Sequence, residues 1–188
     1  MARRKSTAQM QAAEAVLEFV TGSVEETQAV GEGLGACLQA GDVVALHGEL
    51  GSGKTTLVQG IARGLGRDAG SIKSPTFVLV REYPGDVPLI HVDGYRLSGA
   101  PAAAWLDVEL LIGPRKITLI EWAERFEGLL PERHLEVHLA HVSANRRRLR
   151  VSAAGDWPAE RVAVLRETLG TVTSKQKAME ETDGDSGG

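Results

Sequence analysis

The chain carries a single cysteine, Cys37, among 188 residues, so an intramolecular disulfide framework and a cysteine-based zinc site are both excluded. No apolar run approaches the roughly 18 residues that a bilayer-spanning helix requires. Positive charge is not in excess either. Lys and Arg number 21 against 25 Asp and Glu, a net charge of −4, which argues against a protein that coats nucleic acid. The start, Ala2-Arg3-Arg4-Lys5, is basic but continues into Gln, Glu and Ala rather than the apolar core of a secretory signal, so a soluble, cytoplasmic protein is expected. Aromatics make up only 4% of the chain, whereas glycine reaches 22 residues, a balance that points to backbone turns more than to aromatic packing. With 43% hydrophobic and 24% charged residues, global disorder is out, and the length suits one α/β-sized domain with tails.

Periodicity divides the chain. Residues 1–17 are polar and Ala-rich and read as a loose extension, followed by a short strand at Glu18–Thr21. Ser23 and Glu26 form a capping box, with the serine hydroxyl on the third amide and Glu26 reaching back to the cap amide. Val30, Leu34, Cys37 and Leu38 then give one buried helical face. Val43–Leu46 is wholly apolar, as strands inside parallel sheets are, and a helix follows from Thr55 to Leu65. Thr76–Tyr83 is β-rich, Leu89–Asp93 and Ile117–Glu121 are apolar strands that each end in an acid, and Ala100–Ile112 reads as a helix. His134–Val142 and Arg148–Ala153, joined by Ser143-Ala144-Asn145, predict a hairpin, and Pro158–Leu169 a last helix. From Thr171 the composition is that of a disordered tail. The expected division is thus an extension over 1–17, a domain over 18–155, a C-terminal helix over 156–170 and a tail over 171–188.

Between the first buried strand and its helix lies Gly48-Glu49-Leu50-Gly51-Ser52-Gly53-Lys54-Thr55, which fits G-x-x-x-x-G-K-[ST] without a mismatch and is followed by Thr56. Glycines let successive backbone N–H groups curl around phosphate oxygens, and the helix N-terminus adds partial positive charge. Lys54 is placed to reach the β- and γ-phosphates of ATP, and the Thr55 hydroxyl to coordinate Mg²⁺. The fold expected is therefore α/β and P-loop NTPase-like, a mostly parallel sheet flanked by helices with a C-terminal β-hairpin.

Such a loop needs a carboxylate at the end of a neighbouring strand to hold the metal or its water. Asp93 and Glu121 both qualify, since ligands of α/β sheets bind at the C-terminal strand edge. Ser74-Pro75-Thr76 lies where a hydroxyl can sense the terminal phosphate, although by itself the tripeptide is an ordinary turn. His91, between Ile90 and Val92, reads as a packed or supporting histidine rather than a ligand. Trp122 is either core or a lid or partner contact. The Arg146-Arg147-Arg148 and Arg150 cluster reads first as a solvated hairpin edge, with RNA or nucleotide contact as the alternative.

Taken in order, these motifs resemble the bacterial TsaE family: Thr21-Gly22-Ser23 with Glu26-Thr27, the loop through Thr56, Ser74-Pro75-Thr76-Phe77, His91-Val92-Asp93-Gly94-Tyr95-Arg96-Leu97 and Leu119-Ile120-Glu121-Trp122. The resemblance covers about residues 18–155. It implies a small P-loop ATPase, needing ATP and Mg²⁺, that serves threonylcarbamoylation of the adenosine beside the anticodon of certain tRNAs. The partner it implies is the TsaB–TsaD complex, with tRNA engaged through that complex. It also implies roles. Lys54 and Thr55 become the phosphate and Mg²⁺ residues, Glu121 the metal-side acid, Asp93 a second catalytic acid and Thr76 a switch threonine, while the adenine contact falls within Thr21–Thr27. One stretch departs from the family: Ser98–Ala104 is small and apolar where an acidic segment is usual. Two other readings compete with hydrolysis. A small P-loop nucleoside or small-molecule kinase would show acceptor-dependent ADP formation, and an ATP-gated assembly module would work with a non-hydrolysable analogue.

Overall fold

The computed structural model describes residues 14–97 and 106–183. Seven strands form one sheet: β1 (Glu14–Thr21), β2 (Val43–His47), β3 (Val80–Tyr83), β4 (Leu89–Asp93), β5 (Ile117–Glu121), β6 (His134–His141) and β7 (Arg147–Ala154). Their spatial order is β1-β7-β6-β2-β5-β4-β3. The four central strands β6, β2, β5 and β4 are parallel, and antiparallel pairing adds β3 at one edge and β7 with β1 at the other. Helices α1 (Val24–Cys37), α2 (Lys54–Gly64), α3 (Val108–Leu111) and α4 (Ala159–Asp183) complete the chain. No helix among the described residues is long and apolar enough to cross a membrane.

Burial on both sides explains the unbroken apolar strands. Val44, Leu46, Leu89 and Leu119 meet Val30 and Leu34 of α1 and Leu57 and Ile61 of α2. Val43, Ala45, Ile90, Val92 and Ile120 point the other way, onto Leu97, Ala123 and Phe126. Strands β6 and β7 alternate instead, because helices cover only one of their faces, and this alternation is what betrays a hairpin in the sequence.

Helices α1 and α2 touch backbone to backbone. A Cβ at Gly35 would stand 2.2 Å from the Ile61 carbonyl oxygen, and one at Gly60 would stand 2.2 Å from that of Gln28. Gly31 and Gly64 repeat the contact one turn away on each helix. Part of the glycine excess is thus spent on helix packing rather than on turns, which corrects the compositional reading. At the far side Arg161 of α4 forms a two-pronged ion pair with buried Asp42, at 3.0 and 2.6 Å, and ties α4 to the turn before β2.

Several boundaries differ from expectation. β1 starts at Glu14, inside the supposed extension, because pairing with β7 extends to Ala153. α4 runs to Asp183, past the Leu169 end and through most of the supposed tail. Strand β3 begins only at Val80, since residues 76–78 form a turn and Leu79 takes a left-handed φ of 65°. Glu26 accepts from the Gly22 N–H at 2.6 Å, one residue before the expected cap amide, while Ser23 accepts from the Glu26 N–H as predicted. Of the helix expected over Ala100–Ile112, residues up to 105 lie outside the described residues, and the described part is only α3. The departing stretch Ser98–Ala104 likewise lies outside them.

Candidate functional site

The chain leaves β2 at His47 and reaches α2 through Gly48-Glu49-Leu50-Gly51-Ser52-Gly53. Gly48, Gly51 and Gly53 have φ of 142°, 75° and 103°, in the region that side-chain-bearing residues avoid. At Gly48 a Cβ would also stand 2.3 Å from the Leu139 carbonyl oxygen. The loop therefore needs its glycines both for its curl and for its closeness to β6. Gly53 caps α2 without a side-chain hydrogen bond, which leaves the amides of the first turn facing outward.

Lys54 opens α2 and folds back over the loop, donating to the carbonyl oxygens of Gly48 at 2.7 Å and Glu49 at 2.9 Å. Its ammonium lies 4.1 Å from the centroid of the Trp122 ring. Burial pushes the lysine below its ordinary pKa, opposed by the charges of Glu121, Glu124 and Asp93. A cation so stripped of water interacts strongly with any anion brought to it.

Strand alternation sets the acids. In register, Asp93 of β4 lies beside Glu121 of β5, and His91 beside Leu119, all on the face that α2 covers. Thr55, one residue into α2, donates its hydroxyl to Glu121 Oε1 at 2.9 Å and Oε2 at 3.1 Å. His91 Nε2 lies 2.8 Å from Glu121 Oε1. Asp93 has other partners: Ser74 Oγ donates to its Oδ2 at 2.7 Å, the Thr76 hydroxyl donates to the same oxygen, and Oδ1 accepts from the Tyr95 N–H at 2.9 Å. Trp122, in the left-handed region at φ 58°, turns the chain sharply after Glu121 so that its ring covers Lys54 and meets Tyr95 at 5.2 Å.

Lys54, Thr55, Thr76, Asp93 and Glu121 thus line one cleft of about 310 Å³, with Leu50, Gly51, Gly53 and Thr56 along its rim. The remaining loop residues serve differently. Gly48 and Glu49 face Lys54 with their carbonyls, and Ser52 is fully buried beneath the loop. A second cavity of about 450 Å³ opens on the other side of Gly51, Gly53 and Thr56, walled by Ser23, Thr27 and the hairpin residues Asn145 and Arg147. Within the Arg cluster, Arg147 spends its guanidinium on the turn carbonyls of Ser143 and Ala144, and Arg148 pairs with Glu18 at 3.1 Å.

Sequence reasoning misses Ser74 as a donor to Asp93, and it reads His91 as a packed or supporting histidine without naming Glu121 as its partner. That pairing is visible in principle, because His91 stands two residues before Asp93 in a strand and so shares its face. The hydroxyl of Thr55 and the carboxylate of Glu121 supply hard oxygen donors, the type that suits Mg²⁺.

A parallel strand running through a glycine-curled loop into a helix, with acids closing the next two strands on one side, β5 and β4, defines an α/β protein of P-loop-like architecture. The chain belongs to the TsaE family: residues 21–149 match the family model described as threonylcarbamoyl adenosine biosynthesis protein TsaE. It is similar to the tRNA threonylcarbamoyladenosine biosynthesis protein TsaE of Bacillus subtilis, 36% identical over 141 residues, covering 74% of this chain and 87% of that protein. The proteins of the same description from Mycobacterium bovis (42% over 132 residues; 64% and 76% covered) and Streptomyces coelicolor (39% over 145 residues; 72% and 97% covered) are also similar. Among solved structures, YdiB of Bacillus subtilis superposes with a TM-score of 0.67 at 31% identity, covering 86% of this chain and 97% of that one.

Proposed function

We propose that this chain binds Mg·ATP in the Lys54–Glu121 cleft and hydrolyses it as the ATPase component of tRNA threonylcarbamoyladenosine modification, acting with the TsaB–TsaD complex in the cytoplasm. Family membership supports the pathway. The observation that carries the ATPase reading is the convergence of Lys54, Thr55, Glu121, Asp93 and Thr76 on one cleft beneath the glycine loop. The terminal phosphates displace the Gly48 and Glu49 carbonyls as partners of Lys54, and the loop amides and the α2 N-terminus take the remaining phosphate charge. Thr55 and Glu121 would hold Mg²⁺, which when bound would neutralise charge on the phosphates. Asp93, already accepting from Ser74 and Thr76, orients the attacking water and ties it to the Ser74–Leu79 segment. The second cavity, continuous with the loop at Gly51 and Gly53, takes the nucleoside, so the Thr21–Thr27 segment is joined there by the hairpin tip.

The test is threonylcarbamoylation of tRNA reconstituted with the synthase, TsaB and TsaD. Wild-type protein is expected to sustain many rounds, and Lys54→Ala, which lacks the cation facing the phosphates, none beyond the basal level. Equal product with and without the protein overturns the pathway reading, and undiminished ATP binding by Lys54→Ala overturns the site.

A further inference from the structure

His91 is fully buried in the middle of β4, an unusual place for an imidazole flanked by Ile90 and Val92. Its Nε2 lies 2.8 Å from Glu121 Oε1, while its Nδ1 is buried with no hydrogen-bond partner among the described residues. A ring accepting that loss is held for one contact. Since an ionised carboxylate only accepts, Nε2 carries the hydrogen and donates to Glu121. That carboxylate is itself 3% exposed and receives the Thr55 hydroxyl on its other side. A glutamate has three rotatable bonds, and two donors from different elements, β4 and α2, leave it one orientation.

We propose that His91 is a positioning residue for metal binding: through its Nε2–H it fixes the Glu121 carboxylate in the orientation that presents its oxygens, beside the Thr55 hydroxyl, to the divalent cation of Mg·ATP. The inference rests on reading Glu121 as the metal-side acid. It explains why an apolar strand keeps an imidazole where a leucine would pack without an orphaned nitrogen. Partners that orient metal-ligating groups contribute to metal affinity through those groups, with substitutions costing about 10- to 100-fold.

The experiment titrates Mg²⁺ against the binding of a fluorescent ATP analogue, with a parallel titration in chelator. His91→Leu is expected to raise the Mg²⁺ midpoint by about 10- to 100-fold, with metal-free nucleotide affinity unchanged. His91→Gln, whose side-chain amide reaches the Nε2 position, is expected to restore the wild-type midpoint. His91→Leu combined with Glu121→Gln is expected to match Glu121→Gln alone, because the histidine acts only through that carboxylate. A merely structural role predicts the opposite, additive shifts and a loss of metal-free binding, and that result overturns the proposal. If Glu121→Gln shifts the midpoint and His91→Leu does not, the proposal falls while the site reading stands. If Glu121→Gln has no effect, both fall. Should His91→Leu fail to fold, His91→Gln is compared with His91→Asn, whose shorter amide corresponds to Nδ1: equal midpoints overturn the proposal, and a raised midpoint for asparagine alone supports it.

Discussion

Replacing Gly60 by alanine is expected to destabilise the protein, against the sense of helix propensity. In an exposed helix interior the change gains up to about 1 kcal/mol. At Gly60 the added Cβ would stand 2.2 Å from the carbonyl oxygen of Gln28 and 2.9 Å from its Cα. Ordinary contact begins at 3.4 Å, so the approach is about 1.2 Å too close. Both obstacles are backbone and no rotamer change clears them, so α2 must move off α1. Overpacking of this kind costs typically 1–3 kcal/mol, and separation also loosens Leu57 and Ile61 from Val30 and Leu34. A net loss of about 2 kcal/mol is the expected outcome once the propensity gain is subtracted. Gly170 supplies the control, because a Cβ there meets nothing within 4 Å and the residue lies inside α4. Gly170→Ala is expected to stabilise by up to about 1 kcal/mol. Urea unfolding followed by circular dichroism and by tryptophan fluorescence reads both, with an unchanged m-value required for the comparison. If Gly60→Ala raises the midpoint as Gly170→Ala does, the close contact of α1 and α2 is refuted.

Arg161→Leu leaves the buried Asp42 carboxylate, among the described residues, with only the Gln39 N–H at 2.7 Å, and is expected to cost about 3 kcal/mol in the same assay, part of which Asp42→Ala recovers in the double variant. His47 is pushed below its ordinary 6.5 by burial and then by neighbouring His138, whose ring stacks on it at 4.5 Å. The unfolded chain therefore takes up this proton first, stability falls as the pH drops through 6.5, and His47→Gln is expected to flatten that slope in urea midpoints measured across the range. Asp93→Asn is expected to slow phosphate release on the order of 10²-fold while Mg·ATP affinity survives. A metal-dependence defect in that variant would instead make Asp93, not Glu121, the metal-side acid.

The glycine loop is legible in the sequence because its spacing encodes backbone geometry directly: positive φ at Gly48, Gly51 and Gly53 has few other solutions. The apolar strands are legible because burial on both faces leaves no alternation, and the acids because they break that run at its end. Other features are hidden by competing signals. Gly31 with Gly35, and Gly60 with Gly64, repeat at a helical spacing that marks one face, yet a glycine count cannot separate that from turns. From Thr171 the sequence is poor in apolar residues and has the composition of a disordered tail, although Lys, Gln, Ala, Met and Glu over 175–181 are good helix formers and α4 continues through them. The β-rich look of Thr76–Tyr83 is overridden at its start, where Thr76 is drawn to Asp93 and Leu79 adopts a left-handed turn.

Register puts Asp93 and Glu121 side by side, yet the two carboxylates are held by different parts of the chain. The side-chain donors to Glu121 sit on regular elements, His91 on β4 and Thr55 on α2, and α2 is locked to α1 by backbone contact. Displacing Glu121 would therefore disturb the core. Asp93 is held instead by Ser74 and Thr76, in the segment between α2 and β3 where Phe77 stands 82% and Val78 59% exposed. Phe77 and Val78 have little buried apolar surface to lose on moving, whereas Ile72 and Pro75 before them are buried and anchor the segment, so a rearrangement confined to the stretch from Thr76 costs little. That stretch is tied to the domain by the carboxylate beside the cleft, by the Leu79 carbonyl that accepts from the Asp93 N–H at 2.9 Å, and by Arg96, whose guanidinium lies 4.4 Å from the Phe77 ring centroid. The rigid acid suits holding a cation, which tolerates little change in donor geometry. The other suits a group whose hydrogen bonds must change when a phosphate arrives or leaves, because it exchanges partners without repacking a helix.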